Sequence, residues 1–248
     1  MQNERFSNIK ILQIMEKLSA AEKYSPEIVA TADGSHTLFI PALGEHYHSF
    51  HSSVREAVHV YIEAGLHWLF PKTPGPIRVF EVGFGSGLNA LVTALAANEA
   101  ERKVEFHSVE LYPLEAEQCL KLNYCQYIES PKAQTFFDLI HSSPWENDVS
   151  IHPFFSLQKL RADFLQMELE FESVHIIYFD AFGFRAQEEL WQLDVFEKCF
   201  RLLKPGGVLV TYASKGVVRR TMQQAGFAVD KLPGPPGKRE MVRATKPA

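Results

Sequence analysis

Cysteine is scarce in this chain of 248 residues. It occurs only at Cys119, Cys125 and Cys199, too few and too scattered for a disulfide framework or a tetrahedral metal cluster. Long apolar runs are missing as well, since nothing approaches the roughly 18 consecutive apolar residues of a membrane span. The opening MQNERFSNIKILQIMEKLS is polar and charged, with no secretory core and no small-residue cleavage site. Positive charge is in deficit, with 25 Lys and Arg against 30 Asp and Glu, which excludes attraction of the whole molecule to a polyanion. These absences lead to the expectation of a reduced, cytoplasmic protein with no membrane partner and no metal, and a monomer as the starting assumption. The cluster GEHYHSFHSS carries His46, His48 and His51, but their spacing fits no tetrahedral site. It is assigned instead to a pocket rim, with Tyr47 and Ser49 facing inward.

What is present is a core of ordinary size (46% hydrophobic residues) and an uneven distribution of charge. From residue 213 onward eight Lys and Arg face only Asp230 and Glu240, a net of +6 in a chain whose total is −5. That basic end either meets a polyanion or is a solvated face.

The hydrophobic rhythm predicts a helix over 6–18, a strand pair around the Asp33-Gly34 turn in 27–41, and a helix from Ser52 or Ser53 to about Leu66. On that helix Val54, Val58, Tyr61 and Ile62 share a face. Glu56 and Glu63 share another, Glu63 being assigned to the surface and Glu56 left between surface and cleft. PKTPGP at 71–76 breaks the chain and sets a boundary between an N-terminal part, 1–72, and a main domain, 73–248. Beyond it strands and helices alternate: IRVFEVG, a helix from Leu88, VEFHSVEL, a helix over 113–125, a patch near 132–142, SLQKLRADF, VHIIYFDAF, a helix over 187–203, GGVLVTYA and a helix ended by Gly226. FAVDKL and REMVRATK close the chain as a strand pair around PGPPG. Alternation of this kind implies a mostly parallel sheet with helices on both faces.

The first of these strands ends in EVGFGSGLN. Gly83, Gly85 and Gly87 let the backbone turn sharply and let a ligand lie against bare peptide, and the following helix offers unpaired N–H groups. Glu81 would repel a pyrophosphate and welcome an ammonium. Glu110 ends the next strand, where a carboxylate can take both hydroxyls of a ribose. Asp163 ends another and can accept from an adenine amino group. An amino acid at one end and an adenosine at the other describe S-adenosylmethionine. Asp180 ends the strand VHIIYF and is followed by Phe182 and Phe184. A carboxylate beside a flat apolar wall suits a primary amine on a heterocycle, which must lose a proton to become a nucleophile. The alternatives for Asp180 are a helix cap or a contact to the cofactor alone.

Five segments then carry a resemblance: 47–66, VFEVGFGSGLN, YFDAFGFRAQEELW, GGVLVTYASKGVVRRTMQQAGF and PGPPGKREM. Together they resemble the methyltransferase half of the bifunctional tRNA wobble-uridine enzymes of the MnmC family, over roughly 24–245. The resemblance implies a Rossmann-like, class I methyltransferase with a doubly wound, mostly parallel sheet of seven strands and a small N-terminal α+β extension covering the pocket. It implies methyl transfer from S-adenosylmethionine to the amine of 5-aminomethyl-(2-thio)uridine in tRNA. Residues Glu81, Gly83, Phe84, Gly85, Ser86, Gly87 and Asn89 would hold the methionine end, Glu110 and Leu111 the ribose side, and Asp163 the adenine edge. Asp180 would touch the cofactor and serve as base. Tyr47, Ser49, Phe182 and Tyr212 would meet the base, and Lys215, Arg219, Arg220, Lys238 and Arg239 the tRNA phosphates. The relatives continue into a flavin-dependent oxidase, so flavin chemistry is not expected of these residues. Two other readings stay open: an N-methyltransferase acting on a small-molecule or protein amine, and a non-catalytic cofactor-binding protein.

Overall fold

The structure, a computed structural model, describes residues 25–248; the helix expected over 6–18 lies outside them. Strands β1 (Glu27–Ala30), β2 (His36–Ile40) and β3 (Glu45–His46) form a small antiparallel sheet. The β1–β2 turn is closed by Asp33, whose carboxylate accepts from the Thr31 hydroxyl at 2.7 Å and from the Ser35 N–H at 3.0 Å. The short third strand was not foreseen.

A helical run, α1, spans 53–69. Its start is fixed by Ser52, whose hydroxyl accepts from the Arg55 N–H at 3.2 Å. Only Ser53–Ala57 and His67–Leu69 are α-helical, and the middle, Val58–Leu66, is a π-helix. The wider turn changes which side chains face inward. Val60, Tyr61, Ile62 and Leu66 are buried, while Val58, expected with them, is only half-buried. Gly65 lets the run lie directly on the main sheet, for an added Cβ would stand 2.8 Å from Ile176 Cδ1.

The main sheet has eight strands rather than seven: β4 (Ile77–Val82), β5 (Val104–Glu110), β6 (Asp148–His152), β7 (Phe155–Arg161), β8 (Val174–Phe179), β9 (Leu203–Thr211), β10 (Ala228–Pro233) and β11 (Glu240–Thr245). Their order is β10-β11-β9-β8-β4-β5-β7-β6. The five central strands are parallel, and antiparallel strands close both edges. The extra strand is β6, a polar edge segment too short and too weakly alternating to stand out in the sequence. Helices α2 (Leu88–Glu99) and α4 (Ala133–Ser142) join α1 on one face; α5 (Leu193–Leu202) and α6 (Gly216–Gln224) cover the other. Alternation along β8 serves both: Tyr178 belongs to the first core and Phe179 to the second. Because α1 shares its core with the sheet, the loop at 71–76 does not separate two cores.

Two expected helices are broken. Over 113–125 only α3 (Ala116–Cys119) forms, followed by a 3₁₀ turn, Tyr124–Tyr127. Between them Asn123 turns its amide to the small sheet instead, accepting from the His36 N–H at 2.7 Å and donating to the Gly34 carbonyl at 3.1 Å. Over 187–203, Gln192 adopts an extended conformation and separates the 3₁₀ turn Glu188–Trp191 from α5. The indole of Trp191 donates to the Phe182 carbonyl at 2.8 Å and so fixes the segment that follows Asp180.

Strand order reverses between β4 and β8. Chain order runs one way through β5 and β7, the other through β8 and β9. In open sheets of this kind ligands bind at the carboxyl ends of the strands flanking that point.

Candidate active site

Gly83 and Asp180 follow β4 and β8 at the switch point. The Gly83 N–H donates to the Val109 carbonyl at 2.9 Å and the Asp180 N–H to the Val82 carbonyl at 3.1 Å, so the parallel ladder carries on into both loops. Gly83 has φ +95°, and a Cβ there would lie 3.1 Å from the Asp180 carbonyl oxygen. Gly85, at φ +51°, lies against the Tyr47 ring, which a Cβ would approach to 3.0 Å. No side chain fits either position without strain.

The loop lines a cavity of ≈ 370 Å³. Phe84, Ser86, Asn89, Glu110, Leu111, Asp163, Asp180, Phe182 and Tyr47 border it along with Gly83 and Gly85. Glu110 is held by backbone donors on both oxygens, the Gly85 N–H at 3.1 Å and the Tyr112 N–H at 2.9 Å. Burial raises its carboxyl above the usual value, with those N–H groups opposing. Asp163 keeps one oxygen on the Leu165 N–H at 2.9 Å.

Two residues expected on this wall are behind it. Gly87 caps α2 in the left-handed region, φ +73°, and packs toward Phe84 and His141. Glu81 is fully buried within β4, paired with Ser108 across β5, whose hydroxyl donates to it at 2.6 Å. Burial pushes its carboxyl well above the usual range, with the Ser108 hydroxyl opposing. Its in-strand position is the reason: the side chain points under the loop, where Glu81 Oε1 and Asn89 Oδ1 have no hydrogen-bond partner.

Asp180 is held by side chains on both of its oxygens. Tyr61, from the π-helical part of α1, donates its hydroxyl to one oxygen at 2.5 Å, and Asn89, from α2, donates its amide to the other at 2.8 Å. Burial raises the carboxyl to about 6; the hydrogen bond from Tyr61 restrains the rise and the Glu56 charge adds to it. Such a group is ionised at neutral pH yet near enough to neutrality to accept a proton.

Beside the first cavity lies a second, of ≈ 510 Å³, and Tyr47 and His48 line both. It gathers Ser49, Tyr212, Lys215 and Lys238 with Glu45, Glu56 and Arg185. Glu56 Oε2 accepts from the Ser49 N–H and Oε1 from the Lys238 ammonium. Tyr212 donates its hydroxyl to the Ala181 carbonyl at 2.9 Å. His48 is buried with Nδ1 unpartnered, and burial pushes its ring down to about 4, so it is neutral. Arg219, Arg220 and Arg239 border neither cavity. Among the described residues no group of three or more His, Cys, Asp or Glu is placed to hold a metal ion, and no helix is long and apolar enough to cross a membrane.

Tyr61, Glu45, His48 and Arg185 went unrecognised as site residues, and Glu56 stayed undecided. Glu56 and Tyr61 are five apart, a spacing that shares a face only where the helix is wide. The apolar pattern carries no sign of a π turn.

Comparison with known proteins now bears on this geometry. A family model described as S-adenosyl-L-methionine-dependent methyltransferase matches residues 155–247. That match runs from β7 through β11. Curated relatives include a tRNA 5-methylaminomethyl-2-thiouridine biosynthesis bifunctional protein MnmC from Burkholderia multivorans, 29% identical over 89% of this chain and 35% of the relative. Another protein of that name, from Paracidovorax citrulli, is 30% identical over 84% of this chain and 34% of its own length. The chain thus spans about a third of the curated relatives it matches. Among solved structures, MNMC2 from Aquifex aeolicus is similar at a TM-score of 0.76 and 24% identity, covering 99% of this chain and 85% of that one. It supports the methyltransferase fold.

The residues fit the cofactor that this methyltransferase family uses. Gly83 and Gly85 border the cavity with backbone alone. The first-turn N–H groups of α2 lack intrahelical partners and suit a carboxylate. Glu110 retains lone pairs for a pair of hydroxyls.

Proposed function

We propose that this methyltransferase acts on the primary amine of a 5-aminomethyl-(2-thio)uridine at the wobble position of tRNA. The observation that carries the proposal is Asp180: a carboxylate held by Tyr61 and Asn89 in the cofactor cavity, with a second, charged cavity alongside. Support also comes from the curated relatives, whose names place them in the biosynthesis of 5-methylaminomethyl-2-thiouridine in tRNA.

In this proposal Gly83, Phe84, Gly85, Ser86 and Asn89, with the first turn of α2, hold the methionine end. Glu110 and Leu111 hold the ribose side, and Asp163 the adenine edge. When bound, S-adenosylmethionine supplies an electrophilic methyl on a sulfonium. The chain's own residues deliver the amine and manage its proton. Asp180 accepts an N–H of the amine and takes the proton that must leave before the nitrogen has a lone pair to offer. Tyr61 and Asn89 keep both carboxylate oxygens oriented while this happens. Phe182, edge-on to Tyr47 at 5.0 Å, gives the pyrimidine a flat apolar wall. Tyr47 and His48, between the small sheet and α1, close one side of the cavity against water. Lys215, Arg219, Arg220 and Arg239 meet phosphates. Lys238 is committed to Glu56 and is the exception among the cations first assigned to that task.

The decisive experiment incubates the protein with labelled S-adenosylmethionine and tRNA from a strain lacking the methylated base, followed by nucleoside analysis. The aminomethyl nucleoside should be consumed and the methylaminomethyl form appear. Label transfer to free amines or to protein, with none to tRNA, would transfer the assignment to a different acceptor.

A further inference from the structure

The loop between β10 and β11 carries Lys238 into the second cavity. Its ammonium donates to Glu56 Oε1 and stands 3.8 Å from the centroid of the Tyr212 ring. Glu56 is 4% exposed, and its other oxygen is fixed from behind by the Ser49 N–H. The oxygen that meets Lys238 faces the cavity. Gly183, Glu45 and Tyr212 border the same cavity, and an added Cβ at Gly183 would stand in ordinary contact with Glu45 Oε1 at 3.8 Å and the Tyr212 hydroxyl at 4.0 Å. The loop itself is anchored without Lys238: the Pro233 carbonyl pairs with His59 Nε2 at 2.8 Å, and the Ser49 hydroxyl reaches the Pro236 carbonyl at 3.4 Å.

A fixed carboxylate and an aromatic face converging on one point are the recognition elements for an alkylammonium. Lys238 is itself a primary alkylammonium. We propose that its Nζ occupies the seat of the acceptor's ammonium, and that a primary ammonium carried on a flat neutral ring displaces it. The exchange replaces one primary ammonium by another, so the ligand-bound state does not leave Glu56 as a buried, unpaired charge. An uncharged analogue cannot make the exchange, because evicting Lys238 would strand Glu56. The seat thus selects for charge before chemistry, and the charge is given up only at Asp180 in the adjoining cavity. Glu56 lies close enough to Asp180 for its charge to act on that carboxyl. The proposal rests on the aminomethyl reading of the acceptor and extends it to a residue-level basis for choosing that amine.

An occupied seat lowers apparent affinity by the fraction of time it is free. If Lys238 holds it nine-tenths of the time, removing the lysine side-chain charge tightens binding about tenfold. The test is an NMR titration, to millimolar ligand, with free 5-aminomethyluracil as the probe and 5-methyluracil as its uncharged control. Lys238→Met should bind the aminomethyl base about tenfold more tightly than the unaltered protein, and the double variant Lys238→Met with Glu56→Gln should lose that gain. Lys231→Met removes a charge from the same hairpin without touching the cavity and should change affinity much less. In the unaltered protein, where folding is not in question, the Lys238 side-chain nitrogen signal should shift as 5-aminomethyluracil is added and stay in place with 5-methyluracil. No gain in Lys238→Met, an equal gain in Lys231→Met, or an equal gain for 5-methyluracil would overturn the proposal. So would a Lys238 signal that ignores the amine. Turnover on tRNA is read separately. Turnover without the gain defeats the ammonium seat alone, and the gain without turnover on tRNA leaves the seat standing while the tRNA assignment falls.

Discussion

The two cavities that meet at Tyr47 and His48 are assembled in different ways. The first is made by consecutive strand ends of one sheet: the glycine loop after β4, Glu110 at the end of β5, Asp163 after β7, Asp180 after β8. Parallel pairing fixes these positions together, so the wall is a by-product of the sheet. The second is made by pieces with no such common frame. Glu45 and Glu56 come from the N-terminal elements, Arg185 from the loop after β8, Lys215 from the start of α6, and Lys238 from the last hairpin. Its geometry depends on ion pairs and loop anchors rather than on a ladder. The difference separates a scaffold shared by many methyltransferases from the surface that selects an acceptor. Damage to the first should stop catalysis, and damage to the second should alter what is accepted and under which conditions.

The largest expected effect is at Asp180, which sits on the border. Asp180→Ala should lower kcat by at least about 100-fold with cofactor affinity changed much less. Asp180→Asn should be equally inactive and yet no less stable at pH 8. The folded carboxyl is raised from 3.8 to about 6, so its contribution to stability is full below 3.8 and lost as pH rises through about 6. An uncharged side chain escapes that loss. Melting curves at pH 8 together with single-turnover rates check both halves, and a clearly lower melting point for Asp180→Asn would contradict the account.

Next comes the cofactor wall. Gly83→Ala places a Cβ against the Asp180 carbonyl at a φ of +95°, which only glycine adopts readily. Cofactor affinity should fall by roughly tenfold or more, equivalent to about 1.4 kcal/mol. Binding of 5-aminomethyluracil in the second cavity should change little. Calorimetry with each ligand sharpens the comparison, and equal losses for both would show that the two walls are one.

How much of this was legible follows the same division. The glycine loop and the acids at strand ends could be read directly, because short contiguous motifs sit where an alternating strand–helix pattern must place a ligand. Asp180 could be read for the same reason. Its two partners could not. Tyr61 reaches it through a π turn that leaves no mark on the apolar rhythm, and Asn89 looked like a cofactor contact rather than a support for the carboxylate. The burial of Glu81 went unread, because a charged residue next to a glycine loop suggests a ligand, whereas inside a parallel strand it lies against Ser108. The expected helix over 113–125 failed because helix propensity ignores what Asn123 gains by bonding the small sheet. Lys238, read as one cation among several, is tied to Glu56 across the fold, a pairing no local pattern announces.

The basic C-terminal end gives a smaller, graded effect. Lys231, Lys238, Arg243 and Lys246 are each paired with an acid within the described residues, which leaves Lys215, Arg219, Arg220 and Arg239 outside those salt bridges. Replacing Arg219, Arg220 or Arg239 by Gln should weaken tRNA binding and reduce its salt dependence by about one unit of slope for each phosphate contact removed. At saturating tRNA, kcat should hold. Filter binding across a salt series is the check, and an unchanged slope would remove that residue from the tRNA surface.

The smallest effect is expected at Tyr61, and it asks whether Asp180 acts as a base or only as a tether. The Tyr61 hydroxyl favours the charged form of Asp180 and holds its value down, against the burial that raises it to about 6. Tyr61→Phe removes that hydrogen bond and keeps the ring, which packs 4.9 Å from Tyr178. A hydrogen bond to a charged group is worth about 1.5 kcal/mol, or roughly one pKa unit. The acidic limb of the pH–rate profile, centred near 6 in the unaltered protein, should therefore move up by about one unit. At pH 6.5 the ionised fraction, and with it the rate, should drop about threefold, while near pH 8.5 the two proteins should converge. A tether would respond differently: its loss would raise KM for the amine at every pH and leave the limb where it was. The position of that limb, rather than the size of the rate loss, decides between the two roles.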